Sequence, residues 1–279
     1  MHNKILQSIW LSCLCLYLTP ATADQLLPKW EFGLGATAVN YPHYPGSNQR
    51  RQLVLPFPYI TYRSETLTID QREIKKPLME IGPFELDLSL SISVPVSSKD
   101  NEARKGMKDL DGSVGLGPVL KYTLYRKNIS DLKIEVPVRA IIATDFRSLH
   151  QEGFVTSPGI YYYYRRSLSG QQRIKATFGV SADFATSEYN DYFYGVAPEE
   201  ATAQRPAYKV TGGFASMNYV LGLNWHVGQF WFGGFYNQRN LSDAVTVKSP
   251  LVETTRSETY GLAFAWNFYK SDEKVLTLE

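Results

Sequence analysis

Cysteine is almost missing from this chain of 279 residues: Cys13 and Cys15 are its two, both within the first fifteen positions. Around them, Lys4 precedes a short apolar run, "ILQSIWLSCLCLYLTP", and Ala21, Thr22 and Ala23 supply the small residues of a cleavage site. Residues 1–23 therefore read as a secretory signal cut after Ala23. A membrane anchor would need a run of about 20 apolar residues, and Trp10 fits poorly at the start of a lipoprotein signal before Cys13. With that segment removed no cysteine remains, so an exported chain of this size must be held by its sheet and core and not by disulfides. Long apolar runs are lacking too. After residue 23 none approaches the length of a spanning helix, so any passage through a membrane must be made by strands. Nor is there an excess of one charge: 29 basic and 27 acidic residues give a formal net of +2, or +1 once Lys4 is lost, which argues against a nucleic-acid binder.

What is present is alternation. In "FELDLSLSISV" (84–94), Phe84, Leu86, Leu88, Leu90, Ile92 and Val94 share one face of an extended chain, opposite Glu85, Asp87 and three serines. The same period of two recurs in "DLKIEVPVRA" (131–140), "RIKATFGVSADF" (173–184), "TYGLAFAWNFY" (259–269) and "WEFGLGATAV" (30–39). Twelve strands are expected, at 30–39, 51–63, 66–72, 74–81, 84–95, 113–125, 131–142, 154–165, 172–184, 208–225, 229–239 and 257–269. The 74–81 strand is kept mainly because it preserves an even count. Many of these segments exceed the usual five or six residues of a soluble strand; roughly eleven residues at ~3.3 Å each, tilted ~45°, climb about 25 Å, the height of a barrel's lipid-facing band. Short joins ("SE", "RKNIS", "RSLSGQ", "HVG") mostly alternate with long ones, such as 185–207. Aromatics, 14% of the chain, gather near strand ends, as at Trp30, Tyr62, Tyr122, Trp225, Trp266 and Tyr269. The expected fold is all-β: a transmembrane, antiparallel, up-and-down β-barrel of about 12 strands with short periplasmic turns and long extracellular loops. It would occupy 24–269, with residues 270–279 hanging as a periplasmic tail.

In such a barrel the greasy face meets lipid and the polar face lines the lumen. Glu85, Asp87, Lys133, Glu135, Arg139, Arg173, Lys175 and Asp183 are the expected lumen-lining residues. Both signs occur among them, which suggests charge pairs that narrow the lumen more than the single-sign ring of a selective pore. Catalytic signatures are missing: there is no HExxH, CxxC or GxSxG. His43 and His150 fall in outer loops and His226 in a periplasmic turn, without companion ligands at metal spacing. Ser148 and Glu152 flank His150, but such neighbours are ordinary loop composition. No catalytic residue, cofactor or metal is expected.

The ordered stretches "YPGSNQRRQLVLPFPYITYRSETL" (44–67), "RKGMKDLDGSVGLGPVLKY" (104–122), "VPVRA" (136–140), "DYFYGVAPEEATAQRPAYKVTGG" (191–213), "LSDAVTVKSPLVE" (241–253) and "GLAFAWNF" resemble the MipA/OmpV family of outer-membrane proteins across nearly all the exported chain. The resemblance implies a barrel in the outer membrane of a Gram-negative cell. It also implies a scaffold linking a murein lytic transglycosylase with a bifunctional penicillin-binding protein, a peptidoglycan synthase, in cell-wall remodelling. Other members look like adhesins or are associated with uptake, so a small-solute channel and an adhesin working through the outer loops remain alternatives. The chain departs from the family at "SDAVTVK", where a more acidic version is usual, and in continuing past the last aromatic with "KSDEKVLTLE".

Overall fold

In the computed structural model, residues 25–64, 68–69, 74–75, 78–145, 147–169 and 172–277 are described. The expected signal segment, most of the expected 66–72 strand, part of 74–81 and the last two residues lie outside them. The strands are β1 (Gln25–Pro28), β2 (Trp30–Pro42), β3 (Arg50–Arg63), β4 (Thr68–Ile69), β5 (Ile74–Lys75), β6 (Met79–Ile81), β7 (Phe84–Ser93), β8 (Gly112–Lys127), β9 (Ser130–Thr144), β10 (Leu149–Thr156), β11 (Gly159–Ser169), β12 (Gln172–Ala185), β13 (Gly213–Val227), β14 (Phe230–Asn240), β15 (Arg256–Lys270) and β16 (Lys274–Thr277). One α-helix, α1 (Ser187–Tyr194), lies between β12 and β13.

Antiparallel pairing runs β5-β4-β3-β2-β15-β14-β13-β12, then through β10 and β11 together to β9, β8, β7 and β6. The first and last strands of this path, β5 and β6, lie on one stretch of chain, 74–81. β5 pairs with β4 and β6 with β7, so the sheet returns on itself as a barrel. β10 and β11 share both neighbours: β9 pairs with β10 through 138–144 and with β11 through 130–135, and β12 borders them on the other side. They form one stave, interrupted at Ser157–Pro158, where proline has no N–H to give the ladder. Counting β10–β11 and β5–β6 as single staves, the described residues trace twelve. The expected 154–165 strand is thus two pieces, and the expected 208–225 strand begins only at Gly213.

The face assignment follows the alternation. On the outer face Ile92 is 82% exposed, Leu262 73%, Leu90 60% and Leu34 61%, while Ala143, Ala265 and Tyr59 on the inner face are essentially buried. Rows of large apolar side chains this exposed are stable where lipid covers them. Short turns and both ends of the barrel sit at one rim. Gly82 and Gly228 open two of those turns at φ 59°, a conformation that favours glycine. An aromatic belt rings this rim, with Trp30 against Tyr62 (4.5 Å between ring centres), Phe84 against Tyr122 (4.9 Å) and Trp225 against Phe232 (5.7 Å).

The tail does not simply hang. Residues 274–277 pair antiparallel with 25–28 in a separate two-stranded ribbon. Lys29 clamps its base, its Nζ donating to Glu273 Oε1 at 2.8 Å and its backbone N–H to the Glu273 carbonyl at 2.9 Å. The Arg63 side chain donates to the Pro28 carbonyl at 3.0 Å, tying the ribbon to β3.

Candidate functional site

Three consecutive staves place Glu85, Lys121 and Glu135 opposite one another, acid–base–acid, on the inner face. Directly opposed side chains of opposite sign attract across a sheet. Lys121 Nζ meets Asp87 at 2.8 Å and Glu85 at 3.5 Å, and Lys133 Nζ meets Glu85 at 2.8 Å. The Tyr163 hydroxyl donates to Glu135 at 2.5 Å. Four of the residues named from sequence, Glu85, Asp87, Lys133 and Glu135, are therefore gathered in one network, and Lys121 is its centre. Lys121 was missed because β8 is interrupted by glycines and a proline ("VGLGPVLKY") and shows little alternation, although its position has the inward parity.

A second polar cluster closes the interior near the short-turn rim. Glu31 and Arg63, each about 5% exposed, pair at 3.1 Å, and the Asn267 side-chain amide donates to Glu31 at 2.6 Å. Tyr59 Oη and His226 Nε2 are 3.2 Å apart, and Arg173 lines the small cavity that they share with Trp231 and Lys270. His226 is thus the penultimate residue of β13, turned inward, and not part of a turn. Lys175 stands in register between Arg165 and Asn224.

Higher up, Arg139 donates to Ser157 Oγ at 3.0 Å, and Asp183 accepts from Ser216 Oγ at 2.9 Å. Arg239, unforeseen from the sequence, joins Arg139 as an electrostatic neighbour of Asp183.

Above these lies the largest hydrophobic cluster among the described residues, and it is made of loops and α1. Tyr44 from 43–49, Val96, Met107 and Leu110 from 94–111, Phe193, Tyr194, Val196 and Val210 from 186–212, and Leu241, Ala244 and Leu251 from 241–255 pack together as a cap over the long-loop rim. Several of its buried polar side chains are bonded within it, while Arg104 Nε, Arg205 Nε, Asn190 Oδ1 and Thr246 Oγ1 have no partner among the described residues. The Tyr44 hydroxyl donates to the Leu251 carbonyl at 2.9 Å and the Tyr194 hydroxyl to the Pro45 carbonyl at 2.9 Å. Arg104 donates to the Phe193 carbonyl at 3.0 Å, and Arg205 holds the carbonyls of Ala103 and Glu200 at 2.8 and 2.7 Å. Burial pushes the Tyr44 and Tyr194 hydroxyls upward and that of Tyr192 up to about 12, so all stay protonated donors. His43 Nδ1 receives the Asn101 amide at 3.2 Å, and burial, then Arg51, lowers the pKa of His43.

At His150, Ser148 Oγ lies 2.9 Å from Nε2 and donates to Asp145 at 3.0 Å. The carboxylate is on the serine and not on the far side of the imidazole, so this exposed chain lacks the order of a hydrolytic triad. Among the described residues no three His, Cys, Asp or Glu side chains converge as metal ligands.

The profile of a family described as MltA-interacting protein MipA matches residues 34–268. Outer membrane protein Omp26La of Vibrio anguillarum is 32% identical over 90 residues, which are 30% of this chain and 33% of that protein; the match spans about a third of that curated relative. Among solved structures, NanC porin overlaps 84% of this chain and all of its own at 7% identity and a TM-score of 0.36. The CymD monoaromatic hydrocarbon channel overlaps 90% of this chain and 92% of its own at 10% identity and a TM-score of 0.33. Neither likeness bears on function.

Proposed function

From the premise that this chain belongs to the MltA-interacting protein MipA family and is an outer-membrane barrel, we propose that it acts without enzymatic chemistry. It serves as a scaffold for a murein lytic transglycosylase and a peptidoglycan synthase on the periplasmic side. The observation that favours this reading is the ribbon of β1 and β16. Both ends of the barrel run into it at the short-turn rim, where strand pairing and the Lys29–Glu273 contact order it. An ordered appendage loses less conformational entropy on binding than a loose tail. The ion-paired interior beneath a packed cap weighs against the alternative of an open solute channel. The packed cap of long loops leaves an adhesin as the second reading.

Affinity capture tests the scaffold. Folded barrel in detergent, with and without residues 270–279, is used as bait against periplasmic and membrane extract. Recovery of a lytic transglycosylase by the full chain, and its loss with the short one, is the expected result. A folded full-length bait that recovers neither enzyme overturns the scaffold, and steady conductance in a planar bilayer would establish the channel in its place.

A further inference from the structure

One part of the interior is out of electrical balance. Arg139 on β9, Asp183 on β12 and Arg239 on β14 face inward at the long-loop end, linked by the register Arg139–Val155–Ala185 on one side and Asn218–Arg239 on the other. Two guanidiniums thus face one carboxylate. Asp183 is largely buried, and its Oδ2 is taken by the Ser216 hydroxyl at 2.9 Å. Among the described residues neither arginine makes a contact ion pair with it. Arg139 spends one terminal nitrogen on Ser157 Oγ, while its Nε is buried and has no hydrogen-bond partner among the described residues. The Arg239 side chain makes no hydrogen bond among them; its electrostatic neighbours are Asp183, Tyr189 and Tyr194, the tyrosines belonging to α1 in the cap above.

Arg139 and Arg239 are half-buried, and a partly desolvated charge still favours a counter-charge. The lower network meets that need with side chains, in contact pairs at 2.8 Å. Here the groups stand apart, and donors outnumber acceptors. A planar guanidinium presents a fork of N–H donors matched to two oxygens of a carboxylate or phosphate. We infer that Arg139 and Arg239, roofed by α1, form a binding site for an oxyanion, a carboxylate or phosphate group borne on a small solute. Asp183 orients the two guanidiniums and, as a like charge to the ligand, keeps the affinity moderate. The inference is independent of the scaffold reading, since it concerns the opposite end of the barrel.

The test uses the full chain folded in detergent in a chloride-free buffer at constant ionic strength. Sodium phosphate and sodium acetate are titrated separately, by calorimetry and by the thermal midpoint; the better of the two identifies the preferred oxyanion. A saturable rise in midpoint is expected. Arg239→Gln and Arg139→Gln should each weaken the apparent Kd by about tenfold or more. Asp183→Asn should tighten it several-fold, a change in the direction opposite to that of an internal ion pair losing its acid. A folded wild type that gives no saturable response to either anion overturns the site. So does a response that persists unchanged in the Arg139→Gln/Arg239→Gln double variant.

Discussion

Tyr59 and His226 touch across the barrel. Their Oη and Nε2 atoms lie 3.2 Å apart although 167 positions separate them in sequence, and β2, β15 and β14 stand between their strands. Such a contact exists only when the barrel is closed and filled. Trp231 packs beside Tyr59, with ring centres 6.0 Å apart, and Gly233 leaves room for the indole. Tyr59→Phe keeps the ring and removes the hydroxyl, so it should cost about 1 kcal/mol. Tyr59→Ala removes the ring itself and should cost about 3–5 kcal/mol. Urea unfolding of the detergent-folded chain, followed by tryptophan emission, reads both; equal losses would mean that the ring does not pack as described.

The register makes an equally direct prediction. Leu90 is on the lipid face and Ser91, next to it, faces inward. Leu90→Arg should cost ~2–4 kcal/mol if its strand position falls near the bilayer midplane. Ser91→Arg should cost less, because an inward arginine is not buried in lipid. The fraction that resists SDS unless boiled, measured after refolding into lipid vesicles, compares the two. The opposite ranking would invert the faces. Glu135→Leu provides a second check: it strips the acceptor from Tyr163 and one acid from beside Lys121, and should lower stability without blocking assembly.

How much of this was legible in the sequence depended on how local the signal was. Residues 84–94 advertise a strand because each side chain's face is fixed by its neighbours two positions away, and β7, β9, β12 and β15 followed from the same rule. The inward charges followed with them. Lys121 and Arg239 did not, because each lies on a stave whose alternation is blurred, by Gly115, Gly117 and Pro118 in one case and by Gly233 and Gly234 in the other. The cap was invisible for a different reason. Tyr44, Leu110, Phe193 and Leu251 become neighbours only when four loops meet, and no period in any single loop records it. Tyr208 and Val210 even mimic a strand start; in fact Tyr208 bridges to Val196 and Val210 is buried in the cap. Helix α1, at eight residues, is too short for a convincing helical repeat.

Because the cap has its own core, it should loosen apart from the barrel. Leu251 is fully buried within it. Leu251→Ala should destabilise the cap by about 2–5 kcal/mol while leaving the barrel intact. Limited proteolysis from the long-loop side should then cut within 94–111, 186–212 or 241–255, with the SDS-resistant barrel fraction unchanged. If barrel and cap were lost together, they would be one cooperative unit.

The cap should also weaken in acid, with a sign set by His43. Its side chain is half-buried; burial and the neighbouring Arg51 lower its pKa from 6.5, against smaller opposing influences from Asp100 and Glu253. The Asn101 amide, shared with Ser47 Oγ at 3.0 Å, donates to Nδ1, which must therefore carry no proton. An unfolded cap takes up a proton as pH falls through 6.5, while the folded cap resists until its own lower pKa is reached. In that window the unfolded state binds more protons, so stability drops as the pH falls and is fully present above 6.5. Proteolysis rates of the capped barrel should accordingly rise between pH 7.5 and pH 5. In His43→Gln the amide at this position does not titrate, and the rise should be much smaller. An equal rise in both would remove His43 as the source of the acid sensitivity; Asp109, held below its usual range by the Ser98 backbone N–H at 2.7 Å, stays ionised throughout this window and would act only in stronger acid.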